Sequence, residues 1–344
     1  MNDPAPRLSY PFDAAPAPGT TREIAPGVHW LRMALPFPPD HINLWLLQDG
    51  ESWAIVDTGF SRDEAMANWE QIFATTLAGR PVSRVIVTHF HPDHLGLAAW
   101  LCTRWSAPLW MTAGEWYMAR SAHANGSPAD IATRVAFYRE NGVADAADGP
   151  LAQAGNFYRR GVPEIPPAFR RITGNVPIEI GGHAWLPVIG RGHAPEHACL
   201  WCPDRGVIIG GDILLPRISP NVSVWPNEPL ANPLRDYLDC LGNFSHIPAD
   251  TLVLPAHGLP YRGIHARIAD LRAHHAGRLD ALIGHMTQPR AATDCFGLLF
   301  KREIGPNNMH LAVGESLAHL HYLEWEGRAK RARDADGVWR FSPA

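Results

Sequence analysis

Six consecutive residues, His89-Phe90-His91-Pro92-Asp93-His94, place four good metal ligands directly after the apolar, β-rich run 84–88. No other feature constrains the fold as strongly. In an extended loop, side chains two residues apart point the same way, so His89 and His91 can grip one ion. Asp93 and His94 stand at the entrance to a helix, point elsewhere, and can serve a second ion. Imidazole and carboxylate are donors that zinc accepts for hydrolytic chemistry. A polar loop with surface histidines is the plain alternative. The spacing and the position at a strand end argue against it.

Three more candidates sit in short motifs that close apolar runs. His193 lies in Gly192-His193-Ala194-Pro195-Glu196-His197, Asp212 in Gly210-Gly211-Asp212, and His257 in Pro255-Ala256-His257-Gly258. Strand ends are where open α/β architectures present their sites. His-x-His-x-Asp-His followed by these three motifs resembles the signature of the metallo-β-lactamase superfamily, and the resemblance runs along nearly the whole chain from Ile24. It is similar to the glyoxalase-II-like branch that carries a C-terminal winged-helix extension, the branch of β-lactamase-like protein 2. The resemblance implies that His89, His91 and His193 hold one metal, that Asp93, His94 and His257 hold the other, and that Asp212 bridges them. It also implies two zinc ions, with iron or manganese as alternatives. Asp57, in Val56-Asp57-Thr58-Gly59, matches a family position that supports the ligand loop; a turn-forming Asp before Gly is the other reading. His197 either hydrogen-bonds a ligand or is a packed imidazole.

The pattern around these motifs predicts an αββα four-layer sandwich, an α/β fold with strand pairs alternating with helices. Residues 1–23, rich in Pro and Ala, read as an extended or poorly ordered leader. Strands are predicted over 43–48, 52–56, 84–88, 109–112, 176–180, 184–189, 198–202, 206–210 and 251–254, with helices over 63–78, 94–105 and 233–244. Residues 113–170 read as a helical insertion holding Trp116, Tyr117, Phe137, Tyr138, Phe157 and Tyr158. It is a candidate aromatic lid for a small acyl or aryl substrate, and packing of its own core is the equal alternative. The main domain is expected over 24–263. Residues 264–344 read as three helices and a hairpin turning at Asp336-Gly337, a small winged-helix-like domain.

Two metals sharing one water would make hydroxide available near neutral pH. Asp93 and Asp212 are the carboxylates expected to act in that chemistry, and no Gly-x-Ser-x-Gly elbow supplies a separate nucleophile. The expected activity is dinuclear metal-dependent hydrolysis, through a metal-bridging hydroxide, of a thioester, ester or lactone. A phosphodiesterase or endoribonuclease is the first rival, and a non-catalytic winged-helix DNA-binding regulator the second. No Cys or Arg replaces a ligand, as true class B β-lactamases usually require. Leu215 stands where lactonases of this superfamily tend to place Tyr.

Composition excludes other classes. A net charge of −4 gives no general attraction to nucleic acid or anionic membrane, and the basic residues of the terminal hairpin are balanced by acidic ones, which favours packing or a homodimer contact. The expected partner is a small-molecule substrate. The longest apolar runs are too short to cross a bilayer, and the N-terminus lacks the layout of a signal peptide, so the reading is cytoplasmic. The 5 cysteines form no disulfide framework; Cys199 and Cys202 have CxxC spacing but lie in a predicted strand, where residues three apart face opposite sides. Arg159-Arg160 and Arg170-Arg171 could meet an anionic group, and a solvated surface is the plainer reading. His274-His275 read as helix packing.

Overall fold

The computed structural model describes residues 8–153, 155–301 and 303–344. Four strands, β1 (Arg22–Ala25), β2 (Val28–Ala34), β3 (His41–Asp49) and β4 (Ser52–Val56), form an antiparallel meander. The sheet continues in parallel through β5 (Val82–Ile86), β6 (Leu109–Met111) and β7 (Arg170–Arg171), giving seven strands in chain order. Parallel neighbours need crossovers. Helix α1 (Asp63–Ile72) supplies the first; α2 (Pro92–Leu95) and α3 (Ala98–Trp105) supply the next. The second sheet holds β8 (Ile178–Ile180), β9 (His183–Gly190), β10 (His197–Cys202), β11 (Val207–Gly211) and β12 (Leu252–Pro255), with β12 parallel to β11 and the others antiparallel.

Strand periodicity sorts the apolar residues into layers. Trp30, Trp45, Ala54 and Val56 face Leu200, Cys202, Val207 and Ile209 between the sheets, where the rings of Trp30 and Trp45 stack at 6.3 Å. The alternate residues Leu31, Leu44, Leu46 and Ile55 pack outward on Trp69, Ile72 and Leu101. On the far side Val188, Cys199, Ile208 and Val253 pack on α8 (Pro233–Cys240) and α9 (Ile264–His285). The order helix, sheet, sheet, helix is the predicted four-layer sandwich. Cys199 and Cys202 fall in different core layers, so the CxxC spacing makes no pair.

Some expectations need correction. Described residues 8–21 are held against the domain rather than loose: Ser9 bridges to Arg262, Phe12 packs on Trp30, and Thr21 reaches His29 and Thr76. Residues 1–7 of that leader lie outside the described residues. The helix expected over 94–105 is two pieces, because Leu97 leaves helical dihedrals and donates its N–H to Thr58 Oγ1. The insertion contains α4 (Ala113–Ala124), α5 (Pro128–Glu140), α6 (Pro150–Gln153) and α7 (Phe157–Gly161). Its aromatics mostly pack: Phe137 and Tyr138 join the core beneath the C-terminal helices, and Trp116 and Tyr158 pack on the first sheet's core. Only Tyr117 and Phe157 stand exposed among those six. The two-residue strand β7 carries no apolar pattern, which is why the sequence did not announce it.

The C-terminal elements are α9, α10 (Phe296–Leu299), α11 (Met309–Trp325) and the antiparallel hairpin of β13 (Ala329–Arg333) and β14 (Trp339–Pro343). Helix α11 is apolar nearly all round and buried from Ala312 to Leu323 with few breaks. Among the described residues no helix is long and apolar enough to cross a membrane.

Candidate metal centre

All seven predicted ligands converge at the carboxyl ends of the strands. Two donor groups form: His89, His91, His193 and Asp212, and Asp93, His94 and His257, with the ligand atoms of each group within 4.8 Å of one another. His89 Nε2 lies 2.9 Å from His91 Nδ1 and 3.3 Å from His193 Nε2. The two oxygens of Asp212 divide between the groups. Oδ2 is 3.3 Å from His193 Nε2, and Oδ1 is 3.5 Å from both His94 Nε2 and His257 Nε2. Asp93 Oδ2 lies 3.5 Å from His257 Nε2 and 3.8 Å from His94 Nε2.

These residues fit metal ions. His94 Nε2 and Asp212 Oδ1 are fully buried yet have no hydrogen-bond partner. Buried polar atoms are rarely left so; both aim at the centre of the second group, where a cation would satisfy them. The donors are nitrogen and carboxylate oxygen only, a set suited to zinc.

The outer Nδ1 atoms of His94, His193 and His257 are each fixed by a neighbour, the arrangement that sets tautomer and ring orientation in metal sites. Asp57 Oδ2 accepts from His94 Nδ1 at 2.8 Å, while its Oδ1 accepts from the Thr88 N–H at 2.8 Å. Of the two readings of Asp57, support of the ligand loop is therefore the one realised. Asp57 itself adopts φ 61°, a left-handed conformation that Asp tolerates better than most residues. His193 Nδ1 donates to the Asn221 carbonyl and His257 Nδ1 to the His41 carbonyl, each at 2.7 Å. Buried Asn43 donates to the carbonyls of Pro255 and Gly258, pinning the loop of His257 from the opposite sheet.

His197 belongs to this support. Its buried Nε2 accepts the Asp212 N–H at 3.2 Å, and its ring stacks on His89 at 4.7 Å. A β-carbon on Gly211, at φ 49°, would strike that imidazole, so the Gly210-Gly211-Asp212 motif leaves the room His197 needs. Burial, followed by the charge of His193, pushes His197 down to about 3 and keeps it a neutral acceptor.

The electrostatics split the centre. Burial and then the neighbouring imidazoles hold His89 well below the ordinary histidine value, and burial with His193 does the same for His91. Burial also works against a charged His94, but Asp57, Asp93 and Asp212 together outweigh it and hold His94 well above that value. His257 is raised as well, burial being overcome chiefly by Asp212. Asp212 is held well below the usual carboxylate range: burial opposes this, and His257 and His94 prevail.

Glu115 is a residue the sequence reading missed. It is fully buried in the first turn of α4, where Oε2 accepts the Phe90 N–H at 2.9 Å and Oε1 the Glu196 N–H at 2.6 Å. One carboxylate thus ties the loop of His89 and His91 to the loop of His193. Burial lifts its pKa to about 7, against those two backbone bonds. The available signal was Glu115 sharing a helix face, at i and i+4, with fully buried Ala119. Glu115→Ala would leave two buried N–H groups without acceptors, and is expected to cost about 3 kcal/mol of stability or more in urea unfolding. A loss under about 0.5 kcal/mol would deny it this tying role.

One arginine of each pair singled out in the sequence is engaged elsewhere, and Arg160 and Arg171 are exposed. Arg159 Nε donates to the His123 carbonyl, and Arg170 lies over the Trp110 ring. His275 packs in the helical core against His319.

An αββα sandwich with two His/Asp donor groups at its strand ends defines a metal-binding protein of hydrolase type. Sequence comparison agrees: the profile described as "Metallo-beta-lactamase superfamily" matches residues 37–257, and that described as "Metallo-beta-lactamase-like, C-terminal domain" matches residues 279–344. The chain belongs to the metallo-β-lactamase superfamily. A solved beta-lactamase domain protein from Burkholderia ambifaria is 45% identical, with TM-score 0.91 and 98% of each chain covered. A metallo-beta-lactamase family protein from Thermus thermophilus is 27% identical, with TM-score 0.79, covering 94% of this chain and 100% of its own. A Bacillus subtilis (strain 168) protein described as "Probable metallo-hydrolase YqjP" is 24% identical over 324 residues, 86% of this chain and 94% of that protein.

Proposed function

We propose that this protein is a dinuclear zinc hydrolase of glyoxalase-II-like type that cleaves a thioester, ester or lactone. The observation that carries the reading is the Asp212 carboxylate, with one oxygen turned to each donor group. Bound there, two zinc ions would activate water near neutral pH and polarise the scissile carbonyl. The chain's own part is to hold the ligands and move protons. His89 and His91 are neutral at pH 7, their lone pairs available. Asp93, whose side chain remains 13% exposed, turns Oδ2 toward its donor group, and we assign proton transfer to its other oxygen, Oδ1. Asp212 holds the two groups in register.

Among the described residues, Cys199 does not compete for the role of nucleophile. Cys199 is buried in the core with its thiol pushed well up by burial, so it stays protonated. Leu215 is buried and its carbonyl accepts from Arg267, so that position brings no phenol to the centre. A DNA-binding role for the C-terminal elements is disfavoured, because a recognition helix needs an open polar face and α11 is buried. The hairpin arginines are paired too: Arg331 with Glu324, Arg333 with Glu140, and Arg340 with Asp294 and Asp334.

The test combines elemental analysis with a panel of thioesters, esters, lactones, bis(p-nitrophenyl) phosphate and single-stranded RNA. We expect about two zinc ions per chain and chelator-sensitive turnover of an acyl substrate. Turnover confined to the phosphodiester or RNA would transfer the assignment to a nuclease. Salt-sensitive DNA binding that survives His89→Ala would favour the regulator.

A further inference from the structure

The loop of residues 212–232, which leaves the bridging Asp212 and runs to α8, has no regular structure of its own before its end. Its described polar anchors come largely from the C-terminal helices. Arg267 of α9 donates to the carbonyls of Leu215 and Ile218 at 2.6 and 2.8 Å. The Val224 N–H donates to the Gly314 carbonyl of α11 at 3.1 Å, and His321 of α11 donates to the Ala231 carbonyl at 2.8 Å. The approach at Gly314 is tight: a β-carbon there would press on Ser223 and the Val224 carbonyl.

Asn221 is the point where this hold reaches the metal centre. Its backbone carbonyl accepts His193 Nδ1–H at 2.7 Å, and its side-chain Nδ2 donates to Glu315 Oε2 at 3.3 Å. Ser223 Oγ donates to Asn221 Oδ1 at 2.7 Å, which fixes the amide's orientation. Glu315, on α11 and only 13% exposed, is paired through Oε1 with Arg278 of α9. Arg278 in turn donates to the Leu299 carbonyl at 3.1 Å. Continuous polar contact therefore links a ligand of the first donor group to α9 and α11, whereas the second group is braced from the first sheet by Asp57 and the His41 carbonyl.

We infer that Glu315 is a positioning residue for the first donor group: through Asn221 it holds His193, so the C-terminal helices set the affinity of that group and not of the other. The inference rests on the metal-site reading above, but it concerns where binding energy comes from and not which substrate is cleaved.

Stepwise zinc affinities, measured by competition with a chromophoric chelator, test it without reference to activity. Outer partners of a ligand typically change metal affinity roughly ten- to a hundredfold. Glu315→Ala is expected to weaken one of the two zinc steps by that amount and to leave the other within about threefold. Asp57→Asn, which disturbs His94, is expected to weaken the other step. Glu315→Gln keeps an acceptor for the Asn221 amide and should restore most of the loss. If Glu315→Ala does not fold, Asn221→Ala removes the same bond from the half-buried loop and must weaken the same step. Both steps unchanged, both weakened alike, or Gln no better than Ala would overturn the inference. Wild-type protein that takes up no zinc sinks the metal reading itself, and is told apart by that measurement alone.

Discussion

Asp212→Asn is expected to lower kcat/KM on the best acyl substrate by a factor on the order of a thousand, about 4 kcal/mol of transition-state stabilisation. The substitution is nearly isosteric. It keeps the backbone N–H that His197 accepts, so the loop should remain in place. What it removes is the double role of one carboxylate. An amide offers a single acceptor oxygen, and its NH2 cannot ligate. Either His193 or the pair His94 and His257 then loses its facing oxygen, and all three lose the negative charge. The consequence is electrostatic as well as geometric. His94 and His257 owe their raised basicity partly to Asp212, and a buried centre of imidazoles with one carboxylate fewer is a poorer host for dications. Zinc content should fall together with rate. Activity within tenfold of wild type would remove Asp212 from the reaction. Equal inactivity of wild type and variant on the whole panel would end the enzymatic reading.

The candidate ligands were legible because His-x-His-x-Asp-His is followed by three further motifs in order, each after an apolar run; a single His or Asp at such a place is more often structural. The four-layer sandwich was legible because alternation in 43–47 and 198–202 assigns residues to faces without further information. What supports the ligands was harder to read. Asp57 and His197 stood inside recognisable motifs, and local sequence still left two readings of each; only the distances to His94 and Asp212 decide between them. Glu115 resembled an ordinary first-turn acid. Asn221 and Glu315 gave no sign at all, since they meet across 94 residues of sequence and one of them lies in a loop without periodicity. The insertion was left with two equal readings, lid or packed helices, for a related reason. Aromatics in helical segments reveal that they will be buried, not against what, and Phe137 and Tyr138 are claimed by the C-terminal core.

That same core is expected to make the protein acid-labile. Tyr237 of α8 and Arg278 of α9 lie around His275 of α9, which faces His319 of α11 with His274 beside them. His319 Nδ1 donates to the Glu315 carbonyl, so its Nε2 accepts from His275 Nδ1 at 3.2 Å and His275 Nε2 is left without a partner. Neither ring has room for a second proton. Burial, reinforced by neighbouring cations, pushes His275 down to about 2 and His319 to about 4, from 6.5. Both then bind fewer protons folded than unfolded, so stability rises with pH across this window. It is complete above about pH 6.5 and is lost as pH falls toward the folded values. At pH 4.5, two units below the unfolded value, each neutral ring costs about 2.7 kcal/mol and the pair about 5 kcal/mol. Urea unfolding of the chelator-treated protein at pH 7.5 and 4.5 reads this directly. His275→Phe, which also removes the unpartnered nitrogen, should take away about half of the pair's share, about 2.7 kcal/mol between pH 7.5 and 4.5, and adding His319→Leu most of the other half. An identical pH dependence in wild type and double variant would mean that these rings do not govern it.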